Sequence, residues 1–239
     1  RAITPRTKLL VFSHITSPTA VILPAAELCR LARDRGVRVC IDGPHAVATL
    51  PLALDALACD YYTASCHKWL SAPLGSGFLY VHPRHHGEID VPVLSWGRLQ
   101  PALPTCWTDE LTWQGTRDPS AYLSVSAAID YLDAVGIEAY RERTHYLARY
   151  ARRRIEELTG REAFVPDDAA WYGSMIALPL PAGDGPALQR RLREEFGIET
   201  PVVAWAGRRF IRVSGHLYTS TADIDHLVTS LDVCLRDEN

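Results

Sequence analysis

Residues 61–70, YYTASCHKWL, decide the fold of this chain. The opening half has the composition of a buried strand, and Lys68 follows it beside His67, ahead of a glycine-rich turn at residues 74–77. An ammonium group avoids the end of a buried strand unless it is paired, and a desolvated amine loses its proton more readily and becomes a nucleophile. Lys68 is therefore a candidate for the uncharged amine that Schiff-base chemistry requires.

A second anchor lies upstream, where residues 37–42, VRVCID, predict a β-branched buried strand that ends in Asp42. In open α/β sheets ligands bind at the carboxyl ends of the strands, so Asp42 and Lys68 are expected at one crevice. A lysine and a carboxylate at one site suit pyridoxal phosphate, because an acidic side chain on the pyridine nitrogen tunes that ring.

Five segments in order then resemble the class V aminotransferase superfamily, which has the fold type I of pyridoxal enzymes, and within it the isopenicillin N epimerase-like proteins. The segments are residues 13–19 (SHITSPT), 41–46 (IDGPHA), 65–70 (SCHKWL), 114–122 (QGTRDPSAY) and 211–218 (IRVSGHLY). The resemblance implies an α/β fold with a mostly parallel sheet in a large domain, followed by a small α+β domain. It also implies pyridoxal 5'-phosphate as cofactor.

The resemblance assigns three residues to the reacting part of the cofactor. Lys68 would hold the cofactor as a Schiff base and move a proton at the substrate α-carbon, which makes it the first catalytic candidate. Asp42 would pair with the pyridine nitrogen. His45 would lie near the phenolic oxygen and is the second catalytic candidate. Without the resemblance, an ordinary strand-end or turn role is the alternative for each of the three residues, and for Lys68 alone it is the favoured one.

Other site residues follow from the same resemblance. Ser65 and His67 match the pair that binds the cofactor phosphate, since a hydroxyl and an imidazole both donate hydrogen bonds. Ser17 is a weaker cofactor contact. Arg212 would bind the substrate α-carboxylate with its planar guanidinium, whereas its neighbours Arg208 and Arg209 are expected to face solvent. No metal site is predicted.

Gly115 and Thr116 resemble the turn that reaches the phosphate of a neighbouring subunit's cofactor. A homodimer with shared active sites is therefore expected. The substrate would be a small amino acid or a derivative of one.

The reaction itself stays open between several possibilities. The stretch 202–209, VVAWAGRR, has no cysteine, which disfavours a desulfurase that works through a protein persulfide. An epimerase or racemase is the leading interpretation, and an aminotransferase, a C–S lyase or a desulfurase-like enzyme are alternatives. A non-catalytic fragment or pseudoenzyme that keeps the fold for binding or assembly is the alternative of another class.

Composition limits the broad class. The chain has 239 residues, of which 47% are apolar, and a formal charge of -3, so neither nucleic acid nor a membrane is an expected partner. Its six cysteines form no Cys-x-x-Cys pair, which favours a reduced, cytoplasmic location. The family's opening segment carries further strands and a ring that stacks on the cofactor. We expect that this N-terminal part of the large domain is missing here.

The pattern predicts two domains, a partial cofactor-binding large domain at residues 1–136 and a linking helix with a small α+β domain at residues 137–239. Residues 82–113 are predicted as a long ordered loop, and the arginines of the linking helix as a solvated or interface face. The predicted strands are residues 8–12, 37–42, 60–64, 77–81, 173–180, 198–203 and 209–213. The predicted helices are residues 23–35, 53–58, 119–135, 137–158, 186–196 and 221–235.

Overall fold

The computed structural model describes residues 2–93, 96–98, 104–112 and 115–238, and it divides the chain into two compact units. Unit 1 comprises Arg1–Phe12, Ala25–Pro44 and Ala53–Ile129. Unit 2 comprises Ser13–Pro24, His45–Leu52 and Asp130–Asn239. Two short segments of the amino-terminal half thus pack with the carboxyl-terminal half.

Unit 1 holds the first set of strands and helices, although the end of its first strand and of its last helix belong to unit 2. In chain order they are β1 Leu9–Ser13, α1 Ala25–Arg33, β2 Arg38–Asp42, α2 Leu54–Leu57, β3 Tyr61–Ser65, β4 Gly77–Val81, α3 Asp109–Thr112, α4 Ser120–Leu123 and α5 Val125–Val135. Short 3₁₀ segments cover Pro83–Glu88 and Trp96–Arg98.

The four strands of unit 1 form a mixed sheet in the order β1-β2-β3-β4. Strand β2 pairs with β3 in parallel, and β3 pairs with β4 antiparallel. The second pair is antiparallel because a turn at residues 66–76, with no crossover helix, joins those two strands. This sheet is not covered along its whole length in unit 1, since Val11 and Leu79 are exposed.

A buried carboxylate fixes the 3₁₀ segment Pro83–Glu88 to this sheet. One oxygen of Asp60 accepts the Val39 backbone N–H at 2.8 Å, and the other lies 2.6 Å from His85 Nε2 and also accepts from the Arg84 guanidinium. Glu88 lies 3.4 Å from His85 Nδ1. The predicted loop at residues 82–113 therefore begins as a fixed turn, and its residues 94–95, 99–103 and 113 lie outside the described residues.

Unit 2 contains the remaining helices and strands. They are α6 Ile137–Thr159, β5 Met175–Pro179, α7 Gly185–Phe196, β6 Val202–Trp205, β7 Arg208–Ser214 and α8 Thr221–Asp237. The strands form an antiparallel sheet in the order β5-β7-β6. Leu147 and Ile155 of α6, Leu192 of α7 and Leu231 of α8 are buried in one core with this sheet.

Local chemistry sets the helix ends in unit 2. Ser220 and Asp223 form a capping box at the start of α8, each side chain accepting the other's backbone N–H. Asp184 caps α7 by accepting the Ala187 N–H at 2.9 Å, and Gly197 ends that helix in the left-handed region. These caps are local in sequence, which is why the predicted bounds agree closely with the structure.

Two predicted elements differ from the structure for local reasons. The single helix predicted at residues 119–135 is two helices, because Ser124 Oγ donates to the Ser120 carbonyl at 2.7 Å at the break. The strand predicted at residues 198–203 begins only at Val202, directly after Pro201, which has no backbone N–H to donate to a sheet. The first error arises because a serine hydroxyl competes for a backbone carbonyl. The second arises because proline cannot donate a backbone hydrogen bond.

The arginines of α6 are less solvated than predicted. Arg152 is buried, ion-pairs with Glu156 at 3.0 Å and donates to the Val165 carbonyl at 2.9 Å. Arg141 donates to two carbonyls of the His45–Leu52 segment. Only part of this run, such as the exposed Arg153, fits the expected solvated face.

The domain boundary predicted between residues 136 and 137 stays a prediction, and residues 1 and 239 at the outer ends lie outside the described residues. In the described part of the chain, no helix combines the length and apolar character needed to cross a membrane. The same part contains no group of three or more His, Cys, Asp or Glu side chains placed to hold a metal ion.

Candidate active site

Asp42 and Ser65 lie on one face of the unit 1 sheet. Asp42 is in register with Thr63 of the parallel neighbour strand, and Ser65 follows Thr63 by two residues, so these side chains share a face. With Gly77–Leu79 they line an open cavity of about 380 Å³. The carboxylate of Asp42 has no hydrogen bond or ion pair within the described part of the chain. It therefore remains available to a ligand.

The turn after β3 carries His67 and Lys68 and is fixed by its own backbone. The Cys66 carbonyl accepts the Ala72 N–H at 3.1 Å, and the Lys68 carbonyl accepts the Ser71 N–H at 3.1 Å. Ser71 has a φ of 60°, an unusual conformation for a residue with a side chain. Both His67 and Lys68 are half-buried here, so their side chains start from a fixed backbone.

His67 supplies a test of whether these residues suit a phosphate-bearing cofactor. Its Nδ1 is buried and finds no hydrogen-bond partner among the described residues. A buried polar atom without a partner is costly, and a ligand oxygen would relieve that cost. With the hydroxyl of Ser65 and the carboxylate of Asp42, unit 1 offers donors for a phosphate and an acceptor for a protonated ring nitrogen. The residues present fit pyridoxal phosphate.

Gly115 and Thr116 lie in an exposed bend of unit 1. Gly115 has a φ of 94°, which favours glycine, and no atom lies within 4 Å of the place where a Cβ would be. Gln114, which opens this motif, lies outside the described residues.

Ser17 and Arg212 meet within unit 2. Arg212 Nη1 donates to the Ser17 carbonyl at 2.6 Å and is 2.9 Å from the Ser17 hydroxyl oxygen. Burial lowers the pKa of Arg212, and its buried Nε has no hydrogen-bond partner in the described part of the chain. Within those same residues no carboxylate pairs with this guanidinium, whose hydrogen bonds go to Ser17, and this leaves it able to bind an anionic group of a ligand.

His45 is buried in a turn of unit 2 that follows Asp42 by three residues in sequence. Its carbonyl accepts the Thr49 hydroxyl at 2.6 Å. The candidate residues are thus divided: Ser17, His45 and Arg212 belong to unit 2, and the others belong to unit 1.

The expectation that Arg209 faces solvent is wrong. Its side chain is buried, forms a two-pronged ion pair with Glu238 at 2.7 and 2.9 Å, and donates to the Pro181 carbonyl at 2.8 Å. Residue Glu238 is 29 positions away in the chain, so no local pattern indicates the pair. Sequence reasoning also missed the Asp60 cluster and the contacts of Arg141, for the same reason.

A family model for class V aminotransferases matches residues 1–227. The chain belongs to this family. Isopenicillin N epimerase of Streptomyces clavuligerus is 39% identical over 97% of the chain and 61% of its own length. The L-cysteine desulfhydrase of Arabidopsis thaliana is 27% identical over 97% of the chain and 55% of its own length. The class V chain described here therefore spans about 61% of the epimerase and less of the desulfhydrase.

Solved structures confirm the fold class. A mutant of C-DES, whose PLP cofactor carries a covalently linked glycine, is 25% identical with a TM-score of 0.83, over 96% of this class V chain and 61% of C-DES. The cysteine desulfurase CsdA of Escherichia coli has a TM-score of 0.82 at 21% identity, which bears on the fold alone. The resemblance in sequence and the resemblance in fold agree.

Proposed function

We propose that this class V chain belongs to a pyridoxal phosphate-dependent enzyme that acts at the α-carbon of an amino acid or a derivative of one. The observation that carries the proposal is the Asp42 carboxylate, which has no hydrogen bond or ion pair among the described residues and lines a cavity of about 380 Å³ with Ser65. The turn after β3 carries Lys68 and His67, and the buried Nδ1 of His67 has no hydrogen-bond partner among those residues. When bound, the cofactor supplies an electron sink for the electron pair left at the α-carbon.

In this proposal each candidate residue has a defined role. Lys68 holds the cofactor through its amine and moves the proton at the α-carbon. Asp42 keeps the pyridine nitrogen protonated, and His45 hydrogen-bonds the phenolic oxygen. Ser65 and His67 bind the phosphate. Ser17 is a further, weaker cofactor contact.

Arg212 binds the substrate carboxylate, which supplies the ion pair that this partly buried guanidinium lacks among the described residues. Gly115 and Thr116 bind the phosphate at the neighbouring subunit of a homodimer, and their exposure supports this assignment. The cytoplasmic location is an inference from the cysteines, all six of which are free thiols.

An epimerase or racemase is the preferred reaction, because the isopenicillin N epimerases of two bacteria are 38% and 39% identical to this chain. A C–S lyase is the second candidate. C-DES, a cystine C–S lyase solved with cysteine persulfide, is 25% identical over 96% of this chain. The described strand β6 and the turn after it carry no cysteine, so sulfur would have to leave the substrate directly.

Two lysines in the whole sequence, Lys8 and Lys68, make the test sharp. We expect the purified chain to develop a visible absorption band with pyridoxal phosphate, and Lys68→Ala to lose it, because only that amine can anchor the cofactor. Lys8→Ala is the matched control and should keep the band. Borohydride reduction followed by peptide mass spectrometry should place the cofactor on residue 68.

Substrate screening then separates the reactions. Exchange of the α-hydrogen for deuterium without loss of the amino group or of sulfur supports the epimerase, and release of sulfide or persulfide from cysteine or cystine supports the lyase. A parent chain without the absorption band, or one labelled at Lys8, contradicts the cofactor proposal for this chain and favours the non-catalytic alternative.

A further inference from the structure

The turn that carries His45 is held by a side chain from a distant helix. Arg141 of α6 donates from Nε to the Ala48 carbonyl at 3.0 Å and from Nη2 to the Leu50 carbonyl at 3.0 Å. Arg141 follows Ala48 by 93 residues and Leu50 by 91 residues in the chain. One planar guanidinium thus bridges two acceptors of a single turn.

The turn needs stabilising contacts from outside itself, such as the hydrogen bonds from Arg141, because part of its backbone is strained. Ala48 has a φ of 66°, in the left-handed region that costs a residue with a Cβ about 1 kcal/mol. Such conformations persist only where the surroundings fix them. Arg141 hydrogen-bonds the carbonyl of that very residue, so it opposes relaxation of the turn at its most strained point.

Hydrogen bonds within the turn connect this point to His45. Thr49 Oγ1 donates to the His45 carbonyl at 2.6 Å, and the Leu50 N–H donates to the Ala46 carbonyl at 2.9 Å. Ala46 and Thr49 are buried, so the turn cannot shift without moving packed groups. A displacement at Ala48 would therefore be passed to the backbone of His45.

We propose that Arg141 is a positioning residue that fixes the turn at residues 45–52 and thereby sets the placement of the His45 imidazole. The consequence for the cofactor rests on the proposed function, because it assumes that His45 contacts the phenolic oxygen. The fixing of the turn does not depend on that assumption. Lysine at position 141 would keep the charge but lose the planar fork of separate N–H donors that meets the two carbonyls, so charge alone does not replace arginine.

Hydrogen exchange of the chain without cofactor tests the fixing of the turn. In Arg141→Met the amides of residues 45–52, Leu50 above all, should exchange roughly ten- to a hundredfold faster than in the parent, since two charge-assisted hydrogen bonds are lost. Arg141→Lys should lie between the two. Arg153→Gln is the matched control, because this exposed arginine of the same helix lies over the Tyr150 ring and makes no hydrogen bond or ion pair with any residue that the structure describes.

Amides of α8 serve as the internal reference. Faster exchange confined to residues 45–52 supports a local hold. Unchanged exchange in that turn, or an equal increase in α8, overturns the proposal, because Arg141 would then have no specific effect on the turn.

The pH titration of the absorption band of the loaded chain tests the link to His45. We expect the band's midpoint to move by about half a pH unit or more in Arg141→Met and in His45→Gln, and not in Arg153→Gln. A shift in His45→Gln without one in Arg141→Met overturns the positioning of His45. If the parent shows no band, the proposed function fails, and the exchange rates still decide whether Arg141 fixes the turn.

Discussion

Gly43, between Asp42 and the unit 2 turn, has no room for a side chain. A Cβ at this position would lie 2.0 Å from the Tyr62 hydroxyl oxygen and 2.2 Å from the ring carbon that bears it. Tyr62 is fully buried and stacks on Phe78 with ring centroids 6.2 Å apart, so it cannot easily withdraw. We expect Gly43→Ala to lower the free energy of unfolding by about 1–3 kcal/mol, measured by urea denaturation.

Two variants check this explanation. Gly87→Ala should have little effect, because no atom lies within 4 Å of the added methyl group. In a Tyr62→Leu background the additional cost of Gly43→Ala should shrink, since the ring that it meets is gone. An undiminished cost in that background would show that the loss has another origin.

The sequence marks candidate site residues where they lie in ordered motifs or at strand ends, and the roles of these residues stay predictions. Asp42 and Ser65 lie on one face of the sheet and line one cavity, which follows from the register of β2 with β3 and not from a local pattern. The roles of Arg141 and Arg209 were not predictable, because each depends on a partner that only the tertiary fold brings near. The residues next to an arginine in the sequence do not indicate whether its side chain is solvated or buried in an ion pair.

Among the larger elements, the 3₁₀ segment Pro83–Glu88 depends on Asp60. Burial of this carboxyl opposes its ionisation, but hydrogen bonds from two side chains and one backbone amide outweigh burial and hold the pKa of Asp60 below its ordinary value. Asp60→Asn should lower the free energy of unfolding at pH 7 by about 3 kcal/mol, because a buried charged acceptor of several hydrogen bonds is lost. Thermal and urea unfolding measure the difference.

The pH dependence follows from the lowered pKa of Asp60. A carboxyl whose folded pKa lies below its unfolded value stabilises the protein above the unfolded pKa, and this stabilisation disappears as the pH falls through the folded pKa. The difference in the free energy of unfolding between the parent and Asp60→Asn should therefore become smaller at acidic pH. Asp34→Asn, which removes an exposed ion pair with Arg30, should have almost the same free energy of unfolding as the parent at any pH. If the difference between the parent and Asp60→Asn stays constant down to strongly acidic pH, the charge of Asp60 does not have the proposed role.

Helices whose ends are set by nearby capping residues were predicted well, as in α7 and α8, where each N-terminal capping contact joins residues three positions apart. Elements whose limits depend on a competition between side-chain and backbone hydrogen bonds were not predicted well. The break between α4 and α5 depends on whether one serine hydroxyl bonds the backbone behind it, and the sequence pattern permits either result. The antiparallel pairing of β3 with β4 likewise depends on a turn that replaces a helical crossover.

For the molecule as a whole, the assignment of segments to units predicts how a shortened chain behaves. The predicted small domain, residues 137–239, omits the segments Ser13–Pro24 and His45–Leu52 that belong to unit 2. We expect this piece alone to unfold at lower urea concentration and less cooperatively than the full chain, because it lacks the buried Ile15 and Ala46 and the partners of Arg141 and Arg212. Circular dichroism during urea denaturation measures both properties.

A piece that unfolds as sharply and as late as the carboxyl-terminal part of the full chain would contradict this expectation. It would show instead that residues 137–239 form an independent domain. The family and fold were accessible from the sequence because five motifs occur in order along it, whereas the insertion of two early segments into unit 2 follows no motif.

The contact between Ser17 and Arg212 has a consequence for the order of events on the ribosome. Its two residues are 195 positions apart, so at about 5–20 residues per second Ser17 waits roughly 10–40 s before its partner has been synthesised. During that time the early segment 13–24 is present without most of the unit that it joins. On the ribosome the segment 13–24 therefore stays without its Arg212 contact until the intervening residues have been synthesised, so this part of unit 2 can form only after translation has passed residue 212.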